Sequence, residues 1–395
     1  MKNYQRFLKI CLPAGFALAA ICLAHAQHEM TITHVVQGLG NNPPIPVSLD
    51  GFSGEAAEVL KFDLYVQGFS IVTPDAAQYQ ISGTSTDSVQ GRVMDRVAKN
   101  TLFSRSYTGA SLRKQAHAFA DDIVQTITHK PGIGQTKIAF KAQASSGNGE
   151  IYVADFDGHN AQSVTHDKTI VAAPVWVPGR LAIYYDSYKL NNPDVWYHNL
   201  STGQRRVVAH YSGSNISPAA SPDGSKVALI MSKSGSPDVW VCDADGSNLK
   251  QLTHTPEDES SPCWSPDGQW ICFATKINER RVLAKVPAGG GEIQRIPTPG
   301  APNPTEPDWS PDGKWIAFTL QTGEFDICVM PADGSAPPTM LVSGEDPSWS
   351  PNSRTLVFTR RTGGRYVLSV LDVFTKQYKD IARISGNDSQ PAWAR

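Results

Sequence analysis

Cysteine is scarce in this chain of 395 residues: there are six, and Cys11 and Cys22 both fall in the first 22 positions. So few sulfurs in so long a chain exclude a scaffold built on disulfides. Charge of one sign is missing too. Thirty-five Lys and Arg face 37 Asp and Glu, a formal balance of −2, which leaves no basic footprint for nucleic acid. No apolar stretch reaches the roughly 18 residues that cross a bilayer, and the longest, residues 10–23, has 14. The Gly-x-Ser-x-Gly elbow of serine hydrolases is absent. Gly289-Gly290-Gly291 is followed neither by Lys-Ser/Thr nor by a helical pattern, so a phosphate loop is excluded as well.

The first 26 residues read as an export signal: Lys2, Arg6 and Lys9 precede the apolar run, and Ala24-His25-Ala26 offers a small-x-small cleavage site. The bulky Ile21 before Cys22 argues against a lipid anchor. A mature chain from Gln27 has 32 basic and 37 acidic residues, a balance of −5, with no transmembrane segment and four cysteines. An oxidising compartment permits disulfides, and Cys263 and Cys272 flank the turn at residues 265–268 where they could face each other. Spacing alone leaves open whether they are bridged.

Ser-Pro-Asp-Gly occurs at Ser221, Ser265 and Ser310, with a decayed copy at Ser350-Pro351-Asn352-Ser353. Each copy sits in a longer frame, such as PCWSPDGQWICFA from Pro262 and PDWSPDGKWIAFT from Pro307. Trp176, Ala220, Trp264, Trp309, Trp349 and Trp393 occupy one slot at steps of 44, 44, 45, 40 and 44 residues. A period of this length with several short strands per copy predicts a six-bladed β-propeller over residues 136–395. The array starts on the second strand of a blade and stops on a first strand at Pro391-Ala392-Trp393. Residues 389–393 are therefore expected to pair with residues 137–140 and close the ring.

Residues 27–130 carry no repeat and read as a small α/β domain. Strands are expected at 31–36, 71–73 and 79–84, and a hairpin at 92–107. Ala56, Val59, Leu60 and Leu64 set a helical period, as do Leu112, Ala116, Phe119, Ile123 and Ile127 behind a Ser111 cap. Residues 130–135 read as a short linker. The fold class is thus mainly β, a six-bladed propeller preceded by a small α/β domain.

In Ser-Pro-Asp-Gly the proline presets φ, the aspartate bonds its own backbone and the glycine takes the left-handed conformation, so these residues make turns rather than an acid cluster. His166, His210 and His254 repeat every 44 residues, but blade rotation separates equivalent strand ends too far for a metal. No metal or cofactor is expected. The loops leading into the inner strands carry Glu257, Asp258, Glu259, Glu306, Glu345, Asp346, Asn387 and Asp388. These are either ordinary solvated loops or an acidic rim round one mouth of the central channel, where charge would steer a protein partner. A propeller lyase would need His, Lys or paired carboxylates on the inner strands. Those read PVW, PAA, PCW, PDW, PSW and PAW, with Asp308 the sole ionisable residue, so no catalytic residue is assigned.

The whole mature chain resembles the TolB family of the Tol-Pal cell-envelope system, through the propeller copies above and the junction SRSYTGASLRKQAHAFADDIVQTITHKPGIGQTKIAF from Ser104 to Phe140. That resemblance implies a non-catalytic periplasmic adaptor. It would bind a Pal-like peptidoglycan-associated lipoprotein at the propeller mouth and a TolA-like inner-membrane protein through a tail starting at Gln27, His28, Glu29 and Met30. It also implies a role in outer-membrane integrity and cell division. A TolB-like scaffold or sensor with another partner is the alternative.

Overall fold

The computed structural model describes residue 39 and residues 42–143, 148–381 and 386–395. The expected signal peptide, the tail residues Gln27 to Met30 and the strand expected at 31–36 lie outside the described residues.

The first region comprises β1 (Ile45–Asp50), α1 (Gly54–Tyr65), β2 (Phe69–Ile71), β3 (Tyr79–Ser85), β4 (Val89–Asp95), β5 (Asn100–Tyr107) and α2 (Leu112–Thr128). Its sheet runs β2-β1-β3-β4-β5, with β1 parallel to both neighbours and the rest a meander. β1 was not anticipated: it follows Pro43-Pro44 and alternates too briefly to stand out. Ser111 caps α2 by accepting the Lys114 N–H, as expected. The apolar stripes of both helices join β1, β3 and β4 in one core around Leu60, Phe119 and Ile123. Helix and sheet approach so closely that a Cβ on Gly91 would stand 2.1 Å from the Phe119 ring, which only glycine permits at that point of β4.

Six four-stranded sheets follow, as expected from the repeat. Numbered in chain order, blades 1 to 5 span residues 171–209, 215–251, 260–296, 304–343 and 345–380. Blade 6 combines Asn387–Trp393 with Lys137–Gln143, Glu150–Asp155 and Gln162–Ser163. At this seam Trp393 pairs with Ile138, Ala392 with Ala139 and Ser389 with Lys141, so the chain end closes the ring where the repeat order placed it. The slot tryptophans tie blades together. Trp176 Nε1 donates to Ala392 O at 3.1 Å, Trp264 to Ala219 O at 2.9 Å and Trp349 to Asp308 O at 3.1 Å, each reaching the preceding blade.

The Ser-Pro-Asp-Gly turns behave as expected. Ser221 donates to Asp223 Oδ1 at 2.6 Å and accepts the Lys226 N–H at 2.9 Å, while Gly224, Gly268 and Gly313 have φ of 66°, 69° and 75°. The decayed copy keeps the same geometry: Asn352 Oδ1 accepts the Arg354 N–H at 2.8 Å, and Ser353 takes φ 54°.

Residues 130–135 prove to be a clamp between the two regions. Ile133 is fully buried and donates its N–H to Gln67 Oε1 at 3.2 Å, and the Gly134 N–H donates to Asp121 Oδ1 at 2.7 Å. Phe62, Tyr65 and Val66 at the end of α1 pack against Ile138, Phe156 and Trp393 of blade 6. A buried ionic cluster spans the same junction, with His117 Nδ1 2.7 Å from Asp63 and Arg113 paired to Asp157. On blade 5, Gln377 donates to Phe69 O at 3.1 Å. The α/β region therefore rests on blades 5 and 6, at the end of the ring that carries the Ser-Pro-Asp-Gly turns.

Candidate functional site at the channel mouth

Every inner strand contains an X-Pro step, and every X is left-handed. The φ angles are 47° at Ala173, 55° at Ser217, 52° at Ser261, 52° at Glu306, 56° at Asp346 and 52° at Gln390. Such angles are uncommon for residues with a Cβ, and all the more before proline. Each coincides with a shift of register against the second strand of its blade. These are β-bulges, which bend the strand and re-aim the extra residue. All six X residues and their prolines line the central channel, a cavity of about 450 Å³. Each proline removes its own N–H from that wall.

The N–H of a bulged residue is lost to its own ladder, and side chains from the neighbouring blade take it up. The Asp346 N–H donates to Glu306 Oε2 at 3.0 Å, the Gln390 N–H to Asp346 Oδ2 at 3.2 Å and the Ala173 N–H to Gln390 Oε1 at 3.1 Å. One relay thus runs from blade 4 through blades 5 and 6 to blade 1. On the next blade the Ser217 N–H donates to Asp186 Oδ2 at 3.0 Å. Thr319 and Thr359 on the second strands donate to Glu306 and Asp346.

These bonds place Glu306, Glu345 and Asp346 together at the end where the inner strands begin. No ion pair to any of the three is found among the described residues. Burial raises the Asp346 carboxyl well above the ordinary range, and the charges of Glu306 and Glu345 add to it. Glu345 is raised by burial and then by Glu306.

The other rim residues divide. Asp258 is exposed and Glu257 half-buried on the connection into blade 3. Glu259 and Asp388 occupy one slot of the repeat, two positions before the bulge, and both are turned inward at 2% exposure. Glu259 accepts from Thr253, Thr255 and Thr275. Burial pushes the Asp388 carboxyl up to about 6. Asn387 accepts the Tyr366 N–H at 2.9 Å. A position in a loop before a strand did not distinguish outward acids from inward ones. The repeat register does: the bulge residue faces the channel and the residue two before it faces the blade.

Sequence reasoning also missed a set of apolar side chains. Tyr188, Leu190, Ile277, Phe325 and Tyr366 are exposed by 37–42% on the turns joining second to third strands, and Ile170 by 50% where the chain enters blade 1. Strands alternate in direction within a blade, so these turns emerge at the same end as the acids. The Phe325 carbonyl, for instance, accepts the Gly344 N–H at 2.8 Å. Single exposed apolar residues are ordinary, but these recur at equivalent turns of one face.

At the opposite end of the channel, Asp308 is neutralised by Arg395, whose guanidinium also donates to Trp349 O at 3.2 Å and Trp309 O at 3.3 Å. The lone acid of the inner-strand motif is therefore held in a salt bridge. His166, His210 and His254 stand on separate blades, with His210 Nδ1 2.9 Å from Asp194. Among the described residues no three His, Cys, Asp or Glu side chains converge as metal ligands. No described helix is long and apolar enough to cross a membrane.

A family profile described as the TolB beta propeller domain matches residues 124–395. The Tol-Pal system protein TolB of Albidiferax ferrireducens is 36% identical over 129 residues, 32% of this chain and 30% of that one. The protein of the same name from Actinobacillus succinogenes is 31% identical over 194 residues, 47% of this chain and 44% of that one. The chain thus aligns with less than half the length of these relatives. The crystal structure of TolB from Acinetobacter baumannii superposes with a TM-score of 0.80 at 21% identity, covering 90% of this chain and 98% of that one, a likeness of fold.

Proposed function

Since the chain belongs to the TolB β-propeller family, we propose that it is a non-catalytic periplasmic adaptor of a Tol-Pal-like cell-envelope system. The channel mouth binds a Pal-like peptidoglycan-associated lipoprotein, and the tail from Gln27 to Met30 engages a TolA-like inner-membrane protein. In this role it supports outer-membrane integrity and cell division.

The observation that carries the reading is the grouping of Glu306, Glu345 and Asp346 at one mouth, with no cation among the described residues paired to them and their charges opposing one another. A protein that approaches with a cationic or amide-bearing protrusion relieves that repulsion. The surrounding Phe325, Tyr366, Ile277 and Tyr188 supply the apolar contact that charge alone does not. Glu257 and Asp258 extend the acidic face on the side of blade 3. Glu306 and Asp346 also hold the bulges, so the same carboxylates set the shape of the mouth and its charge.

The test is calorimetric titration of the protein with the soluble domain of a Pal-like lipoprotein, for which micromolar or tighter affinity is expected. Replacing Phe325 and Tyr366 by Ala leaves the bulge relay intact and should weaken binding by about 10- to 100-fold. Glu257→Lys with Asp258→Lys should slow association and reduce its salt dependence. Wild-type binding by both double variants would remove the mouth assignment.

A further inference from the structure

Of the four cysteines in the described residues, two stand opposite each other in register and two do not. Cys242 faces Val227 and donates its thiol to that residue's carbonyl at 3.8 Å, and Cys328 faces Phe318. Cys263, on the inner strand of blade 3, faces Cys272 on the second strand, and both are free thiols. The same cross-strand position holds Val175 and Tyr184, Ala219 and Ala228, Asp308 and Ala317, Ser348 and Val357, and Ala392 and Ala139 in the other blades. Small pairs recur there, so the backbones hold two Cβ atoms face to face with no bulk between them. Only in blade 3 do both carry sulfur.

The geometry suits a bond. Opposed residues of antiparallel strands have Cα atoms about 4.5–5.5 Å apart, within the roughly 4.4–6.8 Å span of disulfides. Their Cβ atoms lie about 4.5–5.5 Å apart, against about 3.5–4.5 Å when bridged. Closure therefore needs a Cβ approach of about 1 Å.

Accessibility decides when the bond forms. Cys272 is fully buried and Cys263 is 8% exposed in the channel wall. The thiolate is the attacking species. The partner thiol and burial keep Cys263 protonated, so exchange in the closed ring is slow. The hairpin from 263 to 272 is local, however, and can form before the ring closes over it.

We infer that Cys263 and Cys272 are a disulfide-forming site, oxidised by thiol–disulfide exchange with a protein or small-molecule disulfide as the chain folds in an oxidising compartment. One thiolate attacks the oxidant's S–S bond, giving a mixed disulfide and releasing the first oxidant thiol. The second thiolate then displaces the remaining oxidant thiol and forms the Sγ–Sγ bond. Two electrons pass from the protein to the oxidant, and the two protons leave on the oxidant's two thiols. The clip pins the hairpin that carries the Ser261 bulge, and so fixes the blade 3 side of the mouth.

The test is to refold the full chain in glutathione buffer rich in the oxidised form and, separately, in excess reduced dithiothreitol. Free thiols are then alkylated under denaturing conditions and mapped by mass spectrometry. In the oxidised sample Cys242 and Cys328 should be alkylated, with Cys263 and Cys272 recovered as one cross-linked peptide pair. That sample should also melt about 2–4 °C higher than the reduced one. The Cys263→Ala, Cys272→Ala variant should melt alike from both buffers. Alkylation of both residues in the oxidised sample, a glutathione adduct on Cys263 alone, or a melting difference that persists in the variant would overturn the assignment.

Discussion

The two ends of the channel use the same side chain in opposite ways. At the far end, the carboxylates of the Ser-Pro-Asp-Gly turns are satisfied by their own turns, although burial raises the Asp308 carboxyl beside Arg395. Hydrogen bonds from Ser221 and from the Ser225 backbone hold Asp223 down at about 2, Asp267 is lowered by Ser265 and the Gln269 N–H, and Arg395 answers Asp308. At the mouth, Glu259, Glu345, Asp346 and Asp388 are all raised, burial being the largest cause in each. The turn acids are favoured in their charged form by local hydrogen bonds, whereas burial disfavours the charged form of the acids at the mouth. The six left-handed X-Pro residues all belong to the inner-strand segments that begin at the mouth. At the mouth, raised carboxyls and left-handed inner-strand residues thus occur side by side.

The largest test of this contrast is Trp349→Ala. The indole is fully buried, joins the core shared with Trp315, Leu371 and Phe374, and donates to Asp308 O on the preceding blade. Its loss should cost about 3–5 kcal/mol in denaturant unfolding. Partner binding by the fraction that remains folded should be nearly unchanged. A loss below about 1 kcal/mol would mean that the far end does not hold the ring as described.

How much of this could be read beforehand follows from which features repeat. The Trp slot and the Ser-Pro-Asp-Gly turns recur in sequence, so blade number, turn face and the seam between Asn387–Trp393 and Lys137–Gln143 were legible. The α1 and α2 stripes were legible from their period. β1 was not, because six residues after two prolines give little pattern. The X-Pro step also recurs, at Ala173, Ser217, Ser261, Glu306, Asp346 and Gln390. Its residue type varies from alanine to glutamate, though, so composition hid a sixfold bulge that backbone geometry makes plain. Glu259 and Asp388 looked like rim acids because charge suggests exposure. Of the threonines that hold Glu259, Thr275 comes close only through strand pairing. The Arg395 salt bridge spans 87 positions of sequence, and no local signal announces it.

At the mouth, Asp388 offers a test of intermediate size. Its folded value of about 6 lies above the ordinary aspartate value of 3.8, so the native state holds this proton more tightly than the unfolded chain does. Its contribution to stability is fully present below about 4 and is lost as pH rises through about 6. Two units amount to roughly 2–3 kcal/mol. Asp388→Asn should therefore raise stability at pH 7 by up to about that amount and flatten the pH dependence between 4 and 6. A variant that is less stable at pH 7, with an unchanged profile, would show the Asp388 charge to be compensated in the fold.

Asp223 at the far end should show the opposite sign and a smaller size. Its folded value of about 2 lies below the ordinary aspartate value of 3.8, so the stability it adds is present above pH 4 and is lost as pH falls through 2. The side chain is largely exposed, and solvent screens much of what so large a shift would suggest. Asp223→Ala should cost no more than about 0.5–1 kcal/mol at pH 7. The Ser221 and Ser225 bonds would be lost, while the left-handed Gly224 would keep the turn. Measured beside Asp388→Asn in one set of pH-dependent melts, the two variants should move apart at neutral pH and converge in acid, where both carboxyls are protonated. Parallel profiles would erase the distinction between an acid that closes a turn and one buried at the channel mouth.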